Sequence, residues 1–361
     1  MRLAYREWSD EERARALGVS REAVEIYRSS DVIDLHLDSF IWTRVFRYDL
    51  RKTHGRGLLG RHVYSQTDFP RALEAGLTGG TWIITTNPAK PSRWRRDTFF
   101  ANYEHIKAVF AEVPEQFALV RNRAQYAEAR AAGRHGAFLG IQGGNCLDHD
   151  LADLDRIPGV GADCDILRIT LVHLTSSTLG ETNSPIGRYR HPTVRGLTDR
   201  GREYVQRLNA KKIFVDLAHI GRRAFFDAVA VHDPSQPLMV THTGVTGVHD
   251  MWRNIDDEQL RAVAATGGTV GIMFQQSFLG SGHVDARTVV DHIDHVIRVI
   301  GEDHVSLGTD YDGAISPPKD LPTLFELPRI VQVMLERGHS PERIGKVLGG
   351  NFLRTVEALR G

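Results

Sequence analysis

The chain has little of several features that would assign it to a protein class. Its 361 residues include only two cysteines, Cys146 and Cys164, which are too few for a disulfide framework and not spaced as a zinc knuckle. No segment approaches the roughly 18 uninterrupted apolar residues of a membrane-spanning helix, and the charged amino terminus lacks the apolar run of a signal peptide. These absences lead us to expect a cytoplasmic protein whose cysteines are small buried residues.

The chain also has no net charge at pH 7 when its histidines are neutral. The 45 basic and 45 acidic side chains cancel, so no overall field attracts nucleic acid or an anionic membrane surface. Hydrophobic residues make up 41% and charged residues 25% of the chain, which is an ordinary globular composition. The predicted partner is therefore a small molecule that is recognised locally, with no nucleic acid and no membrane as a partner.

The sequence does contain an alternation of short apolar runs with helical or loop stretches, the pattern of βα units around a parallel sheet. Eight such runs occur, at 32–35, 80–84, 137–141, 166–172, 213–217, 238–240, 269–273 and 304–307. Eight units predict an α/β fold of the TIM-like (β/α)8 barrel type. No Pro- or Ser-rich linker divides the chain, so we expect a single barrel domain over residues 1–361, with residues 1–30 as a helical extension.

The segments between these runs also carry signals. Three have the apolar spacing and end signals of helices, at 199–209 after the cap residue Thr198, 222–229 and 256–265. Two longer polar stretches, 175–192 and 315–322, are predicted to be active-site loops.

Polar residues with metal-binding or acid-base chemistry follow most of the apolar runs. They are His36, Asp38, Gln142, His173, His219, His242 and Asp310. The strand ends of a barrel bring side chains from distant parts of the chain into one cup, which is the catalytic face of TIM-barrel enzymes. Imidazole and carboxylate groups gathered there predict a site for a divalent cation such as zinc.

Each of these residues also has a simpler interpretation. A His and an Asp two residues apart at a strand end can merely hydrogen-bond a loop, and a single buried histidine is more often a satisfied core residue than a ligand. The coincidence of all of them at successive strand ends favours a catalytic or metal-binding cup.

Several motifs in this order resemble the renal (membrane) dipeptidase family, peptidase family M19 of the amidohydrolase superfamily. The similarity extends from about residue 31 to the carboxyl terminus. Its carriers are DLHLDS at 34–39, IQGGN at 141–145, ILRITLVHL at 166–174, the segment 196–219, THTG at 241–244, RNIDDEQLRAVAATGGTVGI at 253–272, HVSLGTDYDG at 304–313 and GGNFLR at 349–354.

The resemblance implies roles for the residues at matching positions. His36 and Asp38 would hold one metal, and His219 and His242 a second. His173 would contact the oxygen of the scissile carbonyl, and Asp310 would be the proton shuttle. Arg253, together with Asn254, would bind the terminal carboxylate of the substrate; a surface salt bridge is the alternative for Arg253.

Gln142 departs from the family pattern. Relatives carry a glutamate before the paired glycines, and that carboxylate bridges the two metals. A carboxamide is neutral and cannot bridge two dications while reducing their repulsion. The cup would then hold one metal, two metals with another bridge, or none. Gln142 could also simply hydrogen-bond its neighbours. Separately, Cys146 or His149 could replace the missing glutamate as a metal ligand.

These features predict a metal-dependent hydrolase of a dipeptide, or of a related small amide with a free carboxylate, that uses one or two zinc ions. Two alternatives stay open: a family member with an altered metal site that catalyses another small-molecule reaction, and a non-catalytic homologue. Barrels of this type often form homodimers, although no stretch of the sequence marks an interface.

Overall fold

The structure, a computed structural model, describes residues 1–55 and 63–361. In this part of the chain nine strands form one sheet, in which every neighbouring pair is parallel. The strands are β1 Ile33–Leu37, β2 Gly79–Thr85, β3 Phe117–Leu119, β4 His135–Gln142, β5 Ile166–Thr170, β6 Phe214–Asp216, β7 Met239–Thr243, β8 Thr269–Ile272 and β9 Val305–Leu307.

Eight of these strands follow one another around a nearly closed barrel, in the order β1-β2-β4-β5-β6-β7-β8-β9. The two ends of this path meet through a parallel bridge between Leu37 and Tyr311, where the amide of Asp38 donates to the carbonyl of Tyr311 at 3.0 Å. The predicted TIM-like (β/α)8 barrel is confirmed, and each of the eight apolar runs overlaps one barrel strand.

Strand β3 was not predicted. It has only three residues, and it pairs with the first half of β4, from Phe117 opposite His135 to Leu119 opposite Ala137. The second half of β4 pairs with β5, so β3 lies beside the barrel path and not within it. Its brief apolar run is too short to be distinguished from a helix end or a loop by periodicity.

Helices connect the strands and cover the barrel. They are α1 Asp10–Leu17, α2 Arg21–Ser29, α3 Phe40–Phe46, α4 Phe69–Glu74, α5 Ser92–Ala111, α6 Arg123–Ala131, α7 Asp199–Lys211, α8 Arg222–Val231, α9 Asp257–Ala265, α10 Gln276–Leu279, α11 Ala286–Ile300, α12 Pro328–Glu336, α13 Pro341–Gly345 and α14 Asn351–Arg360. Helix α7 begins after Thr198, whose hydroxyl accepts from the amide of Gly201 at 3.0 Å. Helix α9 begins one residue later than predicted because Asp256 caps it.

Helix α14 closes the barrel at the end where the strands begin. Its residues Phe352, Leu353 and Val356 belong to a buried cluster with apolar side chains from β1, β4, β5, β6 and β7. Most of those strand residues lie near the start of their strands, as Ile33 and Phe214 do. The opposite end, where the strands finish, is therefore left for the long loops. In the described residues no helix combines the length and the hydropathy needed to cross a bilayer.

A buried histidine at the start of β4 makes the stability of the fold sensitive to pH. His135 Nδ1 lies 2.9 Å from the carbonyl of Leu77, while Trp82 Nε1 donates to His135 Nε2 at 3.1 Å. The ring is therefore neutral, and burial lowers its pKa to about 4. In the unfolded chain the ring of His135 becomes protonated near pH 6.5. The contribution of the neutral His135 to the free energy of unfolding is therefore complete above that pH and is lost as the pH falls towards 4.

We expect His135→Gln to reduce this pH dependence, because a glutamine amide can keep both hydrogen bonds without a titratable group. Between pH 7 and pH 4 the free energy of unfolding should fall by about 3 kcal/mol more in the wild-type chain than in the variant. Urea denaturation at the two pH values measures the difference. An equal loss in both proteins would contradict this account of His135.

Candidate active site

The seven polar residues predicted at the strand ends come together in one buried cup. His36 is in β1, Gln142 ends β4, and His242 is in β7, while the others follow the ends of their strands. All seven are buried, and His36 and His242 are completely inaccessible. Because parallel strands of a barrel end on one face, residues separated by more than 270 positions meet there.

The centre of the cup is a pair of histidines that face each other through the same ring atom. His219 Nε2 and His242 Nε2 are 2.8 Å apart. Burial lowers the pKa of both rings well below the usual value, so both are neutral at pH 7. Gln142 Nε2 lies 3.1 Å from His219 Nε2 and 3.4 Å from His242 Nε2, in front of the pair.

The hydrogen bonds around His242 determine which of its ring nitrogens carries the proton. The hydroxyl of Thr241 donates to Asp216 Oδ2 at 2.8 Å, so its oxygen accepts from His242 Nδ1 at 2.9 Å. With the proton on Nδ1, the lone pair of Nε2 points into the cup. A histidine held in this way is in the tautomer that binds a metal through Nε2.

His36 has a different neighbour on its Nδ1 atom. The guanidinium of Arg168, which is completely buried, donates from Nη2 to His36 Nδ1 at 2.7 Å. It also donates from Nη1 to Asp216 Oδ2 at 2.9 Å. On its other side, His36 Nε2 is 3.2 Å from Gln142 Oε1.

Two residues that contact the predicted site residues were not identified from the sequence. Arg168 was part of the quoted motif ILRITLVHL, where a charged residue inside an apolar strand was the available signal. The second is Thr85, whose hydroxyl donates to Asp38 Oδ1 at 2.6 Å and lies 3.2 Å from Gln142 Oε1. Burial raises the pKa of Asp38 to about 6.

Asp310 faces the same cup with an unsatisfied oxygen. Its Oδ1 has no hydrogen-bond partner among the described residues, although His36 Nε2 is 3.6 Å away. Burial raises the pKa of Asp310 well above its usual value, the nearby Asp38 raises it further, and Arg253 opposes both. This carboxyl group is therefore suited to hold a proton at a higher pH than an exposed aspartate does.

The backbone at two of these residues adopts a conformation that non-glycine residues seldom use. His219 has a φ of 64° and Asp310 a φ of 63°, both in the left-handed region. Such conformations cost about 1–3 kcal/mol each and persist where the surroundings impose them. At His219 the carbonyl oxygen accepts from the amide of Asn183 at 2.8 Å and from the hydroxyl of Thr182 at 3.1 Å. The predicted loop 175–192 thereby holds His219 in place.

A cavity of about 320 Å³ opens above the cup. Its polar lining includes Asp38, Gln142, His173, His219, Arg253 and Asp310. Its apolar lining includes Ile41, Leu174, Trp252, Met273, Phe278 and Ile315. This volume is at the lower end of the range for small-molecule sites, about 300–1,000 Å³. Cys146 and His149 are not among the residues that line it.

The two predicted substrate-binding residues, Arg253 and Asn254, differ in whether their side chains have hydrogen-bonding atoms without a partner. Arg253 is buried and donates from Nη2 to the carbonyl of His242 at 2.7 Å, while its Nε and Nη1 atoms have no partner among the described residues. Asn254 does not line the cavity. Its Nδ2 atom donates to the carbonyls of His249 and Phe278 at 2.8 and 2.7 Å, and its Oδ1 accepts from Gly244 at 3.1 Å.

Comparison with known families agrees with this geometry. The model of the membrane dipeptidase family, peptidase family M19, matches residues 20–360. The chain belongs to this family. By family, it is a metallo-dipeptidase-like hydrolase, as the resemblance predicted.

The individual proteins to which this M19 chain is similar either have low sequence identity or match only part of the chain. An uncharacterised protein in the pqqA 5' region of Klebsiella pneumoniae is 36% identical over 167 residues, which cover 45% of this chain and 60% of that protein.

Among solved structures, a metallopeptidase described as dipeptidase AC is 24% identical, with a TM-score of 0.79 over 92% of this chain and 99% of its own. A Rhodobacter sphaeroides metallopeptidase liganded with a phosphinate mimic of L-Ala-D-Ala is 23% identical, with a TM-score of 0.78 over 91% of this chain and 99% of its own. The probable dipeptidase PvdM of Pseudomonas aeruginosa is 16% identical, with a TM-score of 0.79 over 96% of this chain and 99% of its own. These likenesses show a shared fold.

Metal dependence is a property of the M19 family, and the cup offers atoms that suit one divalent cation. Ligand atoms of His36, His242 and Asp310 lie within 4.8 Å of one another. The Nε2 atoms of the neutral His219 and His242 rings lie 2.8 Å apart, and the unsatisfied Oδ1 atom of Asp310 faces the same cup. Neutral imidazole with carboxylate is a typical zinc donor set. Gln142, at the position where the resemblance implies a bridging carboxylate, carries an amide whose Nε2 atom faces the histidine pair.

Proposed function

We propose that this chain hydrolyses a dipeptide, or a similarly small amide with a free carboxylate, using one divalent cation held mainly by His219 and His242. The observation that carries the proposal is the short distance between their Nε2 atoms, 2.8 Å, beside a cavity that His173, Arg253 and Asp310 also line. We propose zinc as the ion because neutral imidazole nitrogens suit its borderline character.

The cation and the side chains around it have separate tasks. When bound, a divalent cation makes a water molecule nucleophilic near neutral pH. Asp310 takes the proton from the attacking water and passes it to the leaving amine. Its raised pKa suits it for this task, since an efficient general acid-base has a pKa near the working pH.

The proposed task of His173 is to stabilise the negative charge that develops on the carbonyl oxygen. Its ring packs edge-on against the ring of His219 at 4.8 Å between centroids, which fixes its direction. Burial lowers its pKa to about 4, so it is a neutral hydrogen-bond donor at pH 7. A donor fixed in a buried site can contribute about 3 kcal/mol to a transition state of this type.

Arg253 is proposed to bind the free carboxylate of the substrate with its unpartnered Nε and Nη1 atoms. A guanidinium is the usual partner of a carboxylate in a buried site. For Asn254 we propose an indirect part, because its amide group is already bonded to three backbone groups. It fixes the loop that carries Arg253.

The proposal is tested with a panel of dipeptides assayed on zinc-loaded protein. The panel contains L-L and L-D pairs, because one structural neighbour is liganded with a mimic of L-Ala-D-Ala, and each dipeptide is accompanied by its carboxyl-terminal amide as a matched control. We expect turnover of at least one dipeptide with a compact apolar side chain and at least about 100-fold lower kcat/KM for its amide. Metal-loaded protein that cleaves no member of the panel would contradict the proposed substrate class.

A second candidate is favoured by Gln142. A changed metal core is expected where the chemistry has changed, and the bridging carboxylate of relatives is absent here. The alternative is a different small-molecule reaction in the same cup, and it would be supported by metal-loaded protein that is inert to dipeptides yet protected against unfolding by another small carboxylate. The cytoplasmic location and the homodimer stay predictions.

A further inference from the structure

Arg168 lies below the cup as a buried cation that the proposed reaction does not use. Its guanidinium bridges two acceptors on different strands, His36 Nδ1 at 2.7 Å and Asp216 Oδ2 at 2.9 Å. Asp216 also accepts from the hydroxyls of Thr170 at 2.5 Å and Thr241 at 2.8 Å. The charge of Arg168 is thus neutralised by Asp216, and its effect on His36 comes from the direction of one hydrogen bond.

That hydrogen bond determines which nitrogen of the neutral His36 ring carries the proton. A guanidinium donates hydrogen bonds and cannot accept them. His36 Nδ1 must therefore be an acceptor, and the single proton of the neutral ring lies on Nε2. The Nε2 atom, which points into the cup, has no free lone pair.

His242 shows the opposite arrangement in the same cup. Its Nδ1 faces an acceptor, the oxygen of Thr241, which leaves the lone pair on Nε2. Histidine ligands almost always donate their second ring N–H to a carboxylate, a carbonyl or a water molecule. His242 follows this rule and His36 violates it, while His219 Nδ1 has no partner among the described residues. His36, whose Nδ1 accepts, and His242, whose Nδ1 donates, are therefore chemically different.

The proton on His36 Nε2 also orients Gln142. An N–H donor 3.2 Å from the amide group requires the oxygen there, as the structure has it. The Nε2 end of Gln142 consequently faces His219 and His242. Reversing the amide would place its NH₂ group against the N–H of His36. A series of directed hydrogen bonds thus extends from Arg168 through His36 to Gln142.

We infer that Arg168 is a positioning residue that removes His36 from metal binding, so that this chain holds at most one divalent ion, at His219 and His242. The inference concerns the same cup as the proposed function and rests on it. It departs from the two metals that the M19 resemblance implies. The half of the cup formed by His36 and Asp38 instead holds the Gln142 amide in a fixed orientation, with Arg168 as its support.

The wild-type protein provides the first test. Long-range ¹H–¹⁵N correlation spectra distinguish the two neutral histidine tautomers, and the His36→Gln variant identifies the His36 signals by their disappearance. We expect the proton of His36 on Nε2, and we expect one equivalent of zinc to shift signals of His219 and His242 while those of His36 keep an unprotonated Nδ1. A proton on Nδ1, or coordination of zinc by His36 Nε2, would overturn the inference.

Metal stoichiometry in variants provides the second test. Gln142→Glu restores a carboxylate but leaves Arg168 in place, so elemental analysis should still find about one zinc per chain. Gln142→Glu combined with Arg168→Met removes the donor from His36 Nδ1 and should raise the value to about two. The combination of Gln142→Glu with Arg168→Lys keeps a donor and should stay near one.

The outcomes of this series separate the inference from the proposed function. Two zinc ions bound by wild type or by Gln142→Glu would overturn the inference, as would a folded Gln142→Glu/Arg168→Met chain that binds only one. If loss of Arg168 prevents folding, the tautomer of His36 in the wild-type protein decides the question. None of these measurements depends on turnover, so a chain that binds one ion but cleaves no dipeptide would contradict the proposed function alone.

Discussion

Replacement of Asp310 by asparagine is expected to lower kcat for dipeptide hydrolysis by about 10²- to 10⁴-fold, the usual contribution of a general acid-base. Asparagine has nearly the same shape but cannot take the proton of the attacking water or return it to the leaving amine. KM should change little, because Arg253 and the cavity walls bind the substrate. Steady-state kinetics on zinc-loaded protein measure both values.

Asp312 offers a matched control for this variant. It lies two residues away and is also buried, but its oxygens are used by Ser39 at 2.6 Å and by the amide of Gln66 at 2.8 Å, and it does not line the cavity. Asp312→Asn should affect the free energy of unfolding and leave kcat within a few-fold of wild type. Full activity in Asp310→Asn, with its zinc content unchanged, would rule out the proposed proton shuttle.

Replacement of Arg253 by methionine is expected to lower kcat/KM for dipeptides by about 30- to 1,000-fold. This range corresponds to about 2–4 kcal/mol, the cost of removing one partner from a buried charged pair. The effect should appear mainly in KM if the carboxylate is bound equally in the ground state and the transition state. The measurement is the ratio of kcat/KM values for wild type and variant on the best dipeptide of the panel.

Measuring the same ratio of kcat/KM values on the carboxyl-terminal amide of the dipeptide tests whether Arg253 binds the carboxylate. If Arg253 binds the carboxylate, Arg253→Met should cost the amide far less than it costs the free dipeptide. Arg253→Lys keeps the charge without the planar fork and should give an intermediate value. An equal loss on both substrates would show that Arg253 acts through its bond to the carbonyl of His242 and not on the carboxylate.

The sequence predicted the barrel and the strand-end cup because both follow from one physical rule. Most of the eight apolar runs are followed by a polar residue. Because the strands of a parallel barrel end on one face, these polar residues lie together there. His36 and Asp310 could be brought together on this basis without a structure. β3 could not be predicted, since three apolar residues carry no periodic signal.

The partners of the site residues could not be predicted in the same way. The position of Arg168 in an apolar strand marked it as unusual, but its two acceptors lie on β1 and β6, and only the packed barrel places them at hydrogen-bond distance. Thr85 is likewise an ordinary strand residue until β2 is placed between Asp38 and Gln142. Hydrogen-bond direction, which separates His36 from His242, depends on contacts across strands that a linear pattern does not contain.

The central claim is that His219 and His242 hold a metal ion in this cup. Crystals grown with zinc, measured at energies on both sides of the zinc absorption edge, test it directly. We expect one strong anomalous peak within bonding distance of the Nε2 atoms of both histidines, at about 2.0–2.1 Å, and no peak between His36 Nε2 and Asp38. A map with no peak at His219 and His242 would contradict the account.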